Sequence, residues 1–430
     1  MSFRESIRRR AGRQPSPRRG TCHVSAPQHR RRCSTDLDLR FTAVRVLAAC
    51  SLGGAGHLNP LLPFLAAAHG RGDETLIVGP PALRDMVERA GYPFRAGGEP
   101  SEAEVAPIRE RLPVIPPHEA SILGNRELFG RLAATAMLPG MERTCAEWSP
   151  DLVLRDPCEY ASAVVAGRLG IPSAQVAISL AEAEAWSIAA AAPALDAHRP
   201  GLVDELRASP YLTRFPASLD PSPFPATTRF RDSAPTRGRP LPDWWGGSKA
   251  PLVYMTFGTV LGHMSIAAGV YRTALSAIGG VPVRALLTLG RRFDRSSLGP
   301  IPANVHVEAW VDHTDVLAAA DLVVCHGGSG TAFGALAAGV PVVVVPLFAD
   351  QFENGRRIAD GGAGLVVEAT ETTGASVRRL IGQEDAPRIA AGITSVLATP
   401  SYRRNARRIA AEMASARTGD EVLAALLRPR

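Results

Sequence analysis

The sequence DLVVCHGGSGTAFGALAAGVPVVVVPLFADQFENGRRIADGGAG occupies residues 321–364 and decides the fold. Its apolar run Leu322 to Cys325 is typical of a buried strand, and the glycine-rich turn 326–331 follows. A helix of small residues is predicted from about Ala332 to Ala338, and a second strand from Pro341 to Val345. A strand, a glycine-rich turn and a helix start together form an anion site, because free backbone N–H groups and the positive end of the helix both face the ligand.

This turn predicts a site for a nucleotide diphosphate. The side chains of His326, Ser329 and Thr331 add hydrogen-bond donors, and the glycines allow a phosphate to approach the backbone closely. Asp350 and Gln351 follow the next strand and add polar groups at the same edge of the sheet. The alternative is an ordinary strand-to-helix turn that binds nothing, and the clustering of polar side chains argues against it.

The overall composition is that of a soluble globular protein, with 46% hydrophobic and 21% charged residues. A length of 430 residues allows two or three domains. The net charge of +7 does not describe the folded part of the chain. Residues 1–40 hold eleven Arg against three acidic residues, a net charge of +8, which leaves a net charge of −1 for residues 41–430. We therefore expect no nucleic-acid partner for the folded part. We expect no stable membrane insertion either, since no apolar run is long enough to span a bilayer.

Several kinds of chemistry are excluded by missing residues. The single lysine, Lys249, lies in a Gly-Ser stretch, and neither GxxxxGK[ST] nor GxGxxG occurs, so phosphate-loop and dinucleotide sites are absent. The six cysteines form no CxxC pair, which favours a reducing cytoplasm. Asp36-Leu37-Asp38 has a spacing that can hold a metal on a sugar nucleotide, but it lies in the basic N-terminal segment, so we predict no metal and no cofactor.

The chain is organised as two series of short apolar runs that alternate with helices, which predicts parallel sheets covered by helices. We expect a disordered Arg-rich extension, a first domain, a linker, a second domain and C-terminal helices, at residues 1–42, 43–230, 231–250, 251–400 and 401–430. A basic arm for RNA or membrane, or a later translation start, is the alternative for the extension. Residues 95–130 are expected to form irregular, mobile loops, and residues 181–224 a variable region of loops and helices.

Polar residues follow the strands in both series, where ligands bind in such sheets. His57 comes after the first strand and suits a general base for a hydroxyl acceptor. Asp156 follows another strand of the same series and is a candidate partner that would orient the imidazole. The sequence leaves two alternatives open, that His57 caps the following helix and that Asp156 is a turn residue. Trp310 follows a strand of the second series and is either a base-stacking residue or an ordinary tryptophan of the core or rim.

Residues 326–354 resemble the donor-site signature of family 1 glycosyltransferases with the GT-B fold, especially the bacterial branch that decorates antibiotics and other natural products. The GGAGHLNP stretch at residues 53–60 is similar to the N-terminal motif of that family, and the resemblance extends over about residues 44–428. It implies an α/β fold with two Rossmann-like parallel-sheet domains that face a cleft, and a C-terminal helix that packs back toward the N-terminal domain.

The resemblance also implies an inverting transfer in which His57 deprotonates an acceptor hydroxyl and Asp156 is its partner. The first domain would bind the acceptor, and the second the nucleotide sugar. The residues implied for the donor are Thr259, His326, Gly328, Ser329, Gly330 and Thr331 for the diphosphate, Trp310 and the Val311 backbone for the base, and Asp350 and Gln351 for the sugar hydroxyls.

Two positions depart from the pattern of the family. Members that use a ribonucleotide often have Glu eight residues after the donor histidine, where it binds the ribose hydroxyls, and here that position is Gly334. A deoxyribose needs no such contact, so a dTDP-sugar is favoured over a UDP-sugar. His313 stands where many plant relatives have Gln, which leaves the contacts to the base open.

The expected function is transfer of a sugar or deoxysugar to an apolar natural-product aglycone, such as a polyketide, because residues 95–230 combine loops with Ala, Leu, Phe and Trp. A sugar-nucleotide epimerase of the same fold is one alternative, although no further acid–base set is identifiable. A catalytically silent helper protein is the other, and the retention of both His57 and Asp156 argues against it. The sequence is compatible with a homodimer and does not decide the oligomeric state.

Overall fold

A computed structural model describes residues 43–232, 238–370 and 380–428. The segment 1–42, predicted to be a disordered extension, and its Asp36-Leu37-Asp38 triplet lie outside the described residues. From Ala43 onward the chain forms one compact unit that contains two sheets. The domain limits drawn from composition stay predictions.

The first sheet and its helices are built from residues 45–231. The strands are β1 (Arg45–Ala49), β2 (Glu74–Gly79), β3 (Phe94–Ala96), β4 (Leu152–Arg155), β5 (Ser173–Val176), β6 (Tyr211–Thr213) and β7 (Thr227–Arg231). The helices are α1 (Ala55–Leu58), α2 (Leu62–Gly70), α3 (Arg84–Arg89), α4 (Glu102–Arg111), α5 (Pro117–Leu123), α6 (Ala134–Trp148), α7 (Ala161–Leu169), α8 (Ala181–His198) and α9 (Leu202–Ala208).

The second sheet and the C-terminal helices follow. The strands are β8 (Leu252–Thr256), β9 (Arg284–Thr288), β10 (Val305–Glu308), β11 (Leu322–Cys325), β12 (Val342–Val344), β13 (Gly364–Val366) and β14 (Arg417–Thr418). The helices are α10 (Ala267–Gly279), α11 (His313–Ala319), α12 (Ser329–Ala337), α13 (Gln351–Asp360), α14 (Ala386–Ala398), α15 (Pro400–Ala414) and α16 (Gly419–Leu426).

Every strand pairing in the described residues is parallel. The first sheet has the order β14-β7-β6-β5-β4-β1-β2-β3, and the second β10-β9-β8-β11-β12-β13. In each sheet the chain begins at a central strand, builds outward on one side, and then crosses to the other side. The order therefore reverses between β1 and β4 and between β8 and β11, as in doubly wound sheets. The predicted pair of Rossmann-like sheets is confirmed.

The central strands are buried on both faces because helices cover both sides of each sheet. All residues of β8 and β11 are buried. On one face of the second sheet, α10 and α14 supply Tyr271, Ile278 and Ile389 to the apolar core. On the other face, Phe333 of α12 packs against Phe215, which follows β6, with ring centroids 4.3 Å apart. This apolar contact joins the half with the first sheet to the half with the second.

The C-terminal segment returns to the first sheet. The predicted helix breaks near Thr399-Pro400 and Thr418-Gly419 are present, and the short strand β14 adds to the edge of the first sheet beside β7. Val422 and Leu423 of α16 are buried in the same apolar cluster as Phe64 of α2. The predicted return of the last helix to the N-terminal domain is confirmed. No helix in the described parts of the chain is long and apolar enough to cross a membrane.

The expectation that residues 95–130 are irregular is wrong, because most of them are helical. Ser101 and Glu104 form a capping box that starts α4, and the prolines that suggested loops occupy tolerated positions near helix starts or lie within α4 at Pro107. A π-helical stretch, Gly124–Ala133, then runs directly into α6. Similarly, residues 181–224 contain the strand β6 in addition to loops and helices.

Candidate active site

The predicted catalytic pair and the predicted diphosphate residues follow the strands at which the order of each sheet reverses, whereas Trp310 follows β10 and Asp350 follows β12. His57 follows β1 and Asp156 follows β4, the two strands on either side of the reversal in the first sheet. Thr259 follows β8 and His326 follows β11, the corresponding strands of the second sheet. Ligands of doubly wound sheets bind at these reversals, outside the carboxyl ends of the strands. The topology thus places the candidate base at the reversal of one sheet and the candidate donor turn at the reversal of the other.

His57 and Asp156 are paired. His57 lies inside the four-residue helix α1, and its Nδ1 is 3.2 Å from Oδ2 of Asp156. The Asp156 side chain is completely buried, whereas 17% of the His57 side chain is exposed. The alternative that His57 caps a helix is wrong, because its ring faces the carboxylate rather than free backbone N–H groups. The pair has the geometry of a carboxylate that orients a histidine base.

Ser51 is a third member of this group that the sequence analysis missed. Its Oγ lies 3.2 Å from His57 Nδ1 and donates to Asp156, 2.9 Å from Oδ2. Its backbone N–H also donates to Oδ2, over 2.7 Å. The signal that could have found Ser51 is its position directly after β1, the same rule that identified the other polar residues. Ser51 fixes the carboxylate and thereby the imidazole.

The environment keeps Asp156 ionised. Burial raises its pKa, but the His57 imidazole and the hydrogen bonds from Ser51 outweigh burial, so the pKa of Asp156 lies below its ordinary value. The side chain of Arg155 holds the turn after β4. Only 1% of this residue is exposed. Its Nη1 donates to the carbonyl oxygens of Asp156, Pro157 and Glu159, over 3.1–3.2 Å. This buried guanidinium rigidifies the turn that presents the carboxylate.

His326 lies between Gly328 of its own turn and Gly258 of the turn after β8. A β-carbon on Gly258 would be 2.9 Å from His326 Nε2, and one on Gly328 would be 2.4 Å from the same atom. Burial lowers the pKa of His326 to about 4, against the opposing effects of Asp350 and of a hydrogen bond to Thr256, so the ring is neutral at pH 7. Its Nδ1 is buried and has no hydrogen-bond partner within the described residues. A buried polar atom of this kind calls for a ligand or water.

The turn runs into α12, whose first residues are Ser329, Gly330 and Thr331. The first N–H groups of a helix have no intrahelical partner, so they are available to an anion. Gly330 is exposed, and nothing lies within 4 Å of the position of a β-carbon on it. Thr259, in the turn after β8, is also exposed. The structure therefore brings the predicted diphosphate residues to one open helix start.

The loop after β12 places Asp350 beside this helix start. Asp350 Oδ2 accepts hydrogen bonds from Ser329 Oγ, at 3.2 Å, and from Asn354 Nδ2, at 3.0 Å. Gln351 is 4% exposed, and its Oε1 accepts from the N–H groups of Leu347 and Phe348. The carbonyl end of Gln351 thus shapes its own loop, and the amide Nε2 is the end that remains for another partner. Asn354 therefore helps to hold the Asp350 carboxylate, a role that the sequence did not predict.

Trp310 lies just after β10 and is 52% exposed. The guanidinium of Arg291 lies over its ring, 4.8 Å from the centroid. The adjoining Val311 is partly buried against the core that joins the two halves. Trp310 is therefore not a core residue, and the part of its ring that Arg291 leaves exposed suits stacking on a planar group.

His313 and Gly334, the two positions that depart from the family pattern, are neighbours. A β-carbon on Gly334 would lie 3.2 Å from Cε1 of His313. Burial lowers the pKa of His313, and its Nε2 has no partner within the described residues. The imidazole thus occupies the space beside Gly334. No group of three or more potential metal ligands occurs in the described parts of the chain.

Comparison with known proteins decides the family. Residues 272–428 match the family model for the C-terminal domain of erythromycin biosynthesis protein CIII-like proteins. Elloramycin glycosyltransferase ElmGT of Streptomyces olivaceus is 31% identical over 411 residues, which cover 89% of this chain and 97% of that protein. The chain belongs to the family 1 natural-product glycosyltransferases. L-demethylnoviosyl transferase of Streptomyces niveus is 30% identical over 379 residues, covering 86% of this glycosyltransferase and 94% of its relative.

The fold of this glycosyltransferase has solved counterparts. The crystal structure of glycosyltransferase SsfS6 of Streptomyces sp. SF2575, complexed with thymidine diphosphate, superposes with a TM-score of 0.67 at 25% identity. The superposition covers 89% of this chain and 99% of the SsfS6 chain. The predicted GT-B fold and the predicted family are confirmed. Neither alternative, the epimerase nor the silent helper protein, is retained.

Proposed function

We propose that this glycosyltransferase moves a sugar or deoxysugar from a dTDP-sugar to a hydroxyl of an apolar natural-product aglycone, with inversion at the anomeric carbon and with His57 as general base. The observation that carries the proposal is the 3.2 Å contact between Nδ1 of the partly exposed His57 and the buried carboxylate of Asp156. Natural-product relatives at 30–31% identity over most of the chain support the reaction class.

The hydrogen-bond pattern supports one direction of proton transfer. Nδ1–H of His57 donates to the ionised Asp156, which leaves Nε2 as the acceptor for the proton of the substrate hydroxyl. The hydroxyl oxygen then bonds to the anomeric carbon, the bond from that carbon to the diphosphate oxygen breaks, and the electron pair leaves with the diphosphate. Asp156 stabilises the imidazolium that forms.

The negative charge of the leaving diphosphate needs stabilisation. The free N–H groups at the start of α12, around Ser329 and Gly330, and the neutral His326 with its unpartnered Nδ1 are suited to it. Thr331 of α12 and Thr259 of the turn after β8 add hydroxyl donors. We propose that no metal is required. Turnover in excess EDTA tests this, and full activity is expected. A loss of activity that Mg²⁺ restores would contradict the proposal.

Two observations support dTDP as the nucleotide. Gly334 has no side chain to bind a ribose 2′-hydroxyl, and His313 fills the space beside it. In addition, SsfS6 is described as complexed with thymidine diphosphate. The exposed ring of Trp310, with the neighbouring Val311 backbone, is the proposed base site. Asp350 and the amide end of Gln351 are the proposed contacts to the sugar.

Apolar side chains near His57 support an apolar acceptor. Phe129, on the π-helical stretch, is stacked beside His57 with ring centroids 6.3 Å apart and an interplanar angle of 23°. Leu52, which follows β1, is 37% exposed.

The four cysteines in the described residues are free thiols, which supports the proposed cytoplasmic location.

The proposal is tested with His57→Ala. Transfer to a panel of aromatic polyketide aglycones should fall by about 10²–10⁴-fold, the usual contribution of a general base, while stabilisation by TDP in a thermal-shift assay is retained. His69→Ala, at an exposed position of α2, is the matched control and should transfer normally. Unchanged turnover in His57→Ala would overturn the assignment of the base. TDP should stabilise the wild type more than UDP, and the reverse ranking would overturn the choice of nucleotide.

A further inference from the structure

A hydrogen bond joins the two halves of the molecule at the proposed sugar site. Ser179 follows β5 of the first sheet, and Asp350 follows β12 of the second. Ser179 Oγ donates to Asp350 Oδ2 over 2.6 Å. It is shorter than the bonds that the same oxygen accepts from Ser329 and Asn354, which belong to the half with the second sheet. The carboxylate is thus held from both halves.

The three donors act on one oxygen of Asp350 and leave the other available. Within the described parts of the chain, Oδ1 accepts no hydrogen bond. A carboxylate accepts through both oxygens, so Oδ1 is suited to receive hydrogen bonds from sugar hydroxyls. The preceding residue, Ala349, has a φ of 57°, a left-handed conformation that residues other than glycine rarely adopt. Such an outlier is maintained when its surroundings hold it in place.

Ser179 is itself fixed in its own half. Glu184, at the start of α8, is 3% exposed, and its Oε1 accepts from the N–H groups of Ser179 and Ile178, each over 2.7 Å. The other oxygen of Glu184 accepts from the hydroxyl of Tyr211 over 2.5 Å. A serine whose backbone is anchored in this way presents its hydroxyl in one direction at little entropic cost.

We propose that Ser179 is a positioning residue for the donor sugar, which orients the Asp350 carboxylate from the acceptor half so that its free oxygen faces the sugar hydroxyls. This inference rests on the proposed role of Asp350. It follows that the sugar portion of the donor is recognised by both halves together, whereas the nucleotide is recognised by the half with the second sheet. Loss of the Ser179 hydroxyl should therefore weaken binding of a nucleotide sugar and not binding of the nucleotide alone.

The experiment compares the dissociation constants of dTDP-glucose and TDP, measured by calorimetry on the full chain without acceptor. In Ser179→Ala, the affinity for dTDP-glucose should fall about tenfold, as expected for one hydrogen bond to a charged group, with the affinity for TDP within about twofold of wild type. Ser179→Thr keeps the hydroxyl and should restore most of the lost affinity. A purely structural defect would lower the affinity for both ligands together, and Ser179→Thr would not restore the affinity for dTDP-glucose selectively.

Ser218→Ala is a matched control, because the Ser218 hydroxyl also donates to a carboxylate, that of Glu412 on α15, and neither residue belongs to the proposed donor site. It should bind dTDP-glucose normally. If Ser179→Ala binds dTDP-glucose as well as or better than wild type while Asp350→Asn loses affinity, the role of Ser179 is overturned and the sugar contact of Asp350 stands. If Asp350→Asn also binds dTDP-glucose normally, the sugar contact in the proposed function fails, and the role of Ser179 fails with it.

Discussion

Gly334 lies against the imidazole of His313, and a β-carbon on this glycine would be 3.2 Å from Cε1 and 3.5 Å from Nδ1 of the ring. The two positions are 21 residues apart in sequence. Gly334 stands where relatives that use a ribonucleotide often have Glu, and His313 stands where many plant relatives have Gln. Their contact makes them one structural feature, since a larger side chain at position 334 requires the ring at position 313 to move.

Gly334→Glu alone should therefore not produce a UDP-using enzyme. Overpacking commonly costs about 1–3 kcal/mol in a core, and this contact is partly buried, so a lower melting temperature and weaker stabilisation by TDP are expected. The measurement is thermal shift of the variant with and without TDP. A variant of wild-type stability that binds TDP normally would show that the ring moves freely and that the packing argument is wrong.

The double variant Gly334→Glu/His313→Gln should regain part of the lost stability and raise the affinity for UDP relative to TDP. Replacement of the ring by the slimmer glutamine makes room for the glutamate, which can then accept from the ribose hydroxyls. The check is the ratio of UDP to TDP dissociation constants in the double variant and in His313→Gln alone. An identical ratio in both proteins would contradict the proposed basis of nucleotide choice.

Asp156→Asn should reduce turnover by about 10³-fold, because an amide does not stabilise the imidazolium and no longer selects the productive tautomer of His57. Ser51→Ala should have a smaller effect, about tenfold, since it removes one of several hydrogen bonds to Asp156. Both are checked by initial rates at saturating donor, with TDP affinity as the control for folding. Equal losses in the two variants would show that Ser51 acts directly on substrate rather than through the carboxylate.

Gly328→Ala should weaken TDP binding by about tenfold or more. The backbone of Gly328, with φ −60° and ψ 136°, is accessible to any residue, but the added β-carbon would be 2.4 Å from His326 Nε2. The expected loss therefore arises from displacement of the ring and not from backbone strain. Calorimetric titration with TDP measures it, and Gly269→Ala, where nothing lies within 4 Å of the new carbon, is the control. Normal TDP affinity in Gly328→Ala would refute the tight placement of His326.

The contribution of the buried carboxyl groups to the stability of the protein should fall as the pH rises from about 5 to 8. Burial raises the pKa of Glu184 from 4.5 to about 8, against the lowering effect of its hydrogen bonds. The folded protein then binds more protons than the unfolded chain between these values, so the contribution of Glu184 is complete below pH 4.5 and is lost as the pH passes through 8. Burial also raises the pKa of Glu159, to about 7, and that of Asp220, to about 6, which acts in the same direction.

Glu184→Gln mimics the protonated side chain and should flatten this pH dependence by more than about 1 kcal/mol, since one pKa unit corresponds to about 1.4 kcal/mol. Urea denaturation of wild type and variant at several pH values between 5 and 8 measures the difference. Glu110→Gln, at an exposed position of α4, should leave the wild-type profile unchanged. Parallel profiles for wild type and Glu184→Gln would contradict the raised pKa.

The alternation of apolar runs and helices was sufficient to predict two parallel sheets, because strands buried on both faces must be apolar throughout and must be joined by helices. The rule that ligands bind beyond the carboxyl ends of strands made His57, Asp156 and the turn at His326 candidate site residues, although the sequence left open a helix cap for His57 and a turn residue for Asp156. Residues 95–130 were mispredicted, since their prolines suggested loops. Pro107 lies within α4, so proline content alone did not exclude helix.

Contacts between distant segments were decided only by the tertiary structure. The bond from Ser179 to Asp350 joins residues 171 positions apart and belonging to different sheets, and no local pattern records it. The same holds for the ring of His313 over Gly334, where sequence shows a missing side chain and not what fills its place. Local chemistry and periodicity determined the fold class and the types of the reacting groups, whereas the packing of one half against the other determined which of those groups hold one another in position.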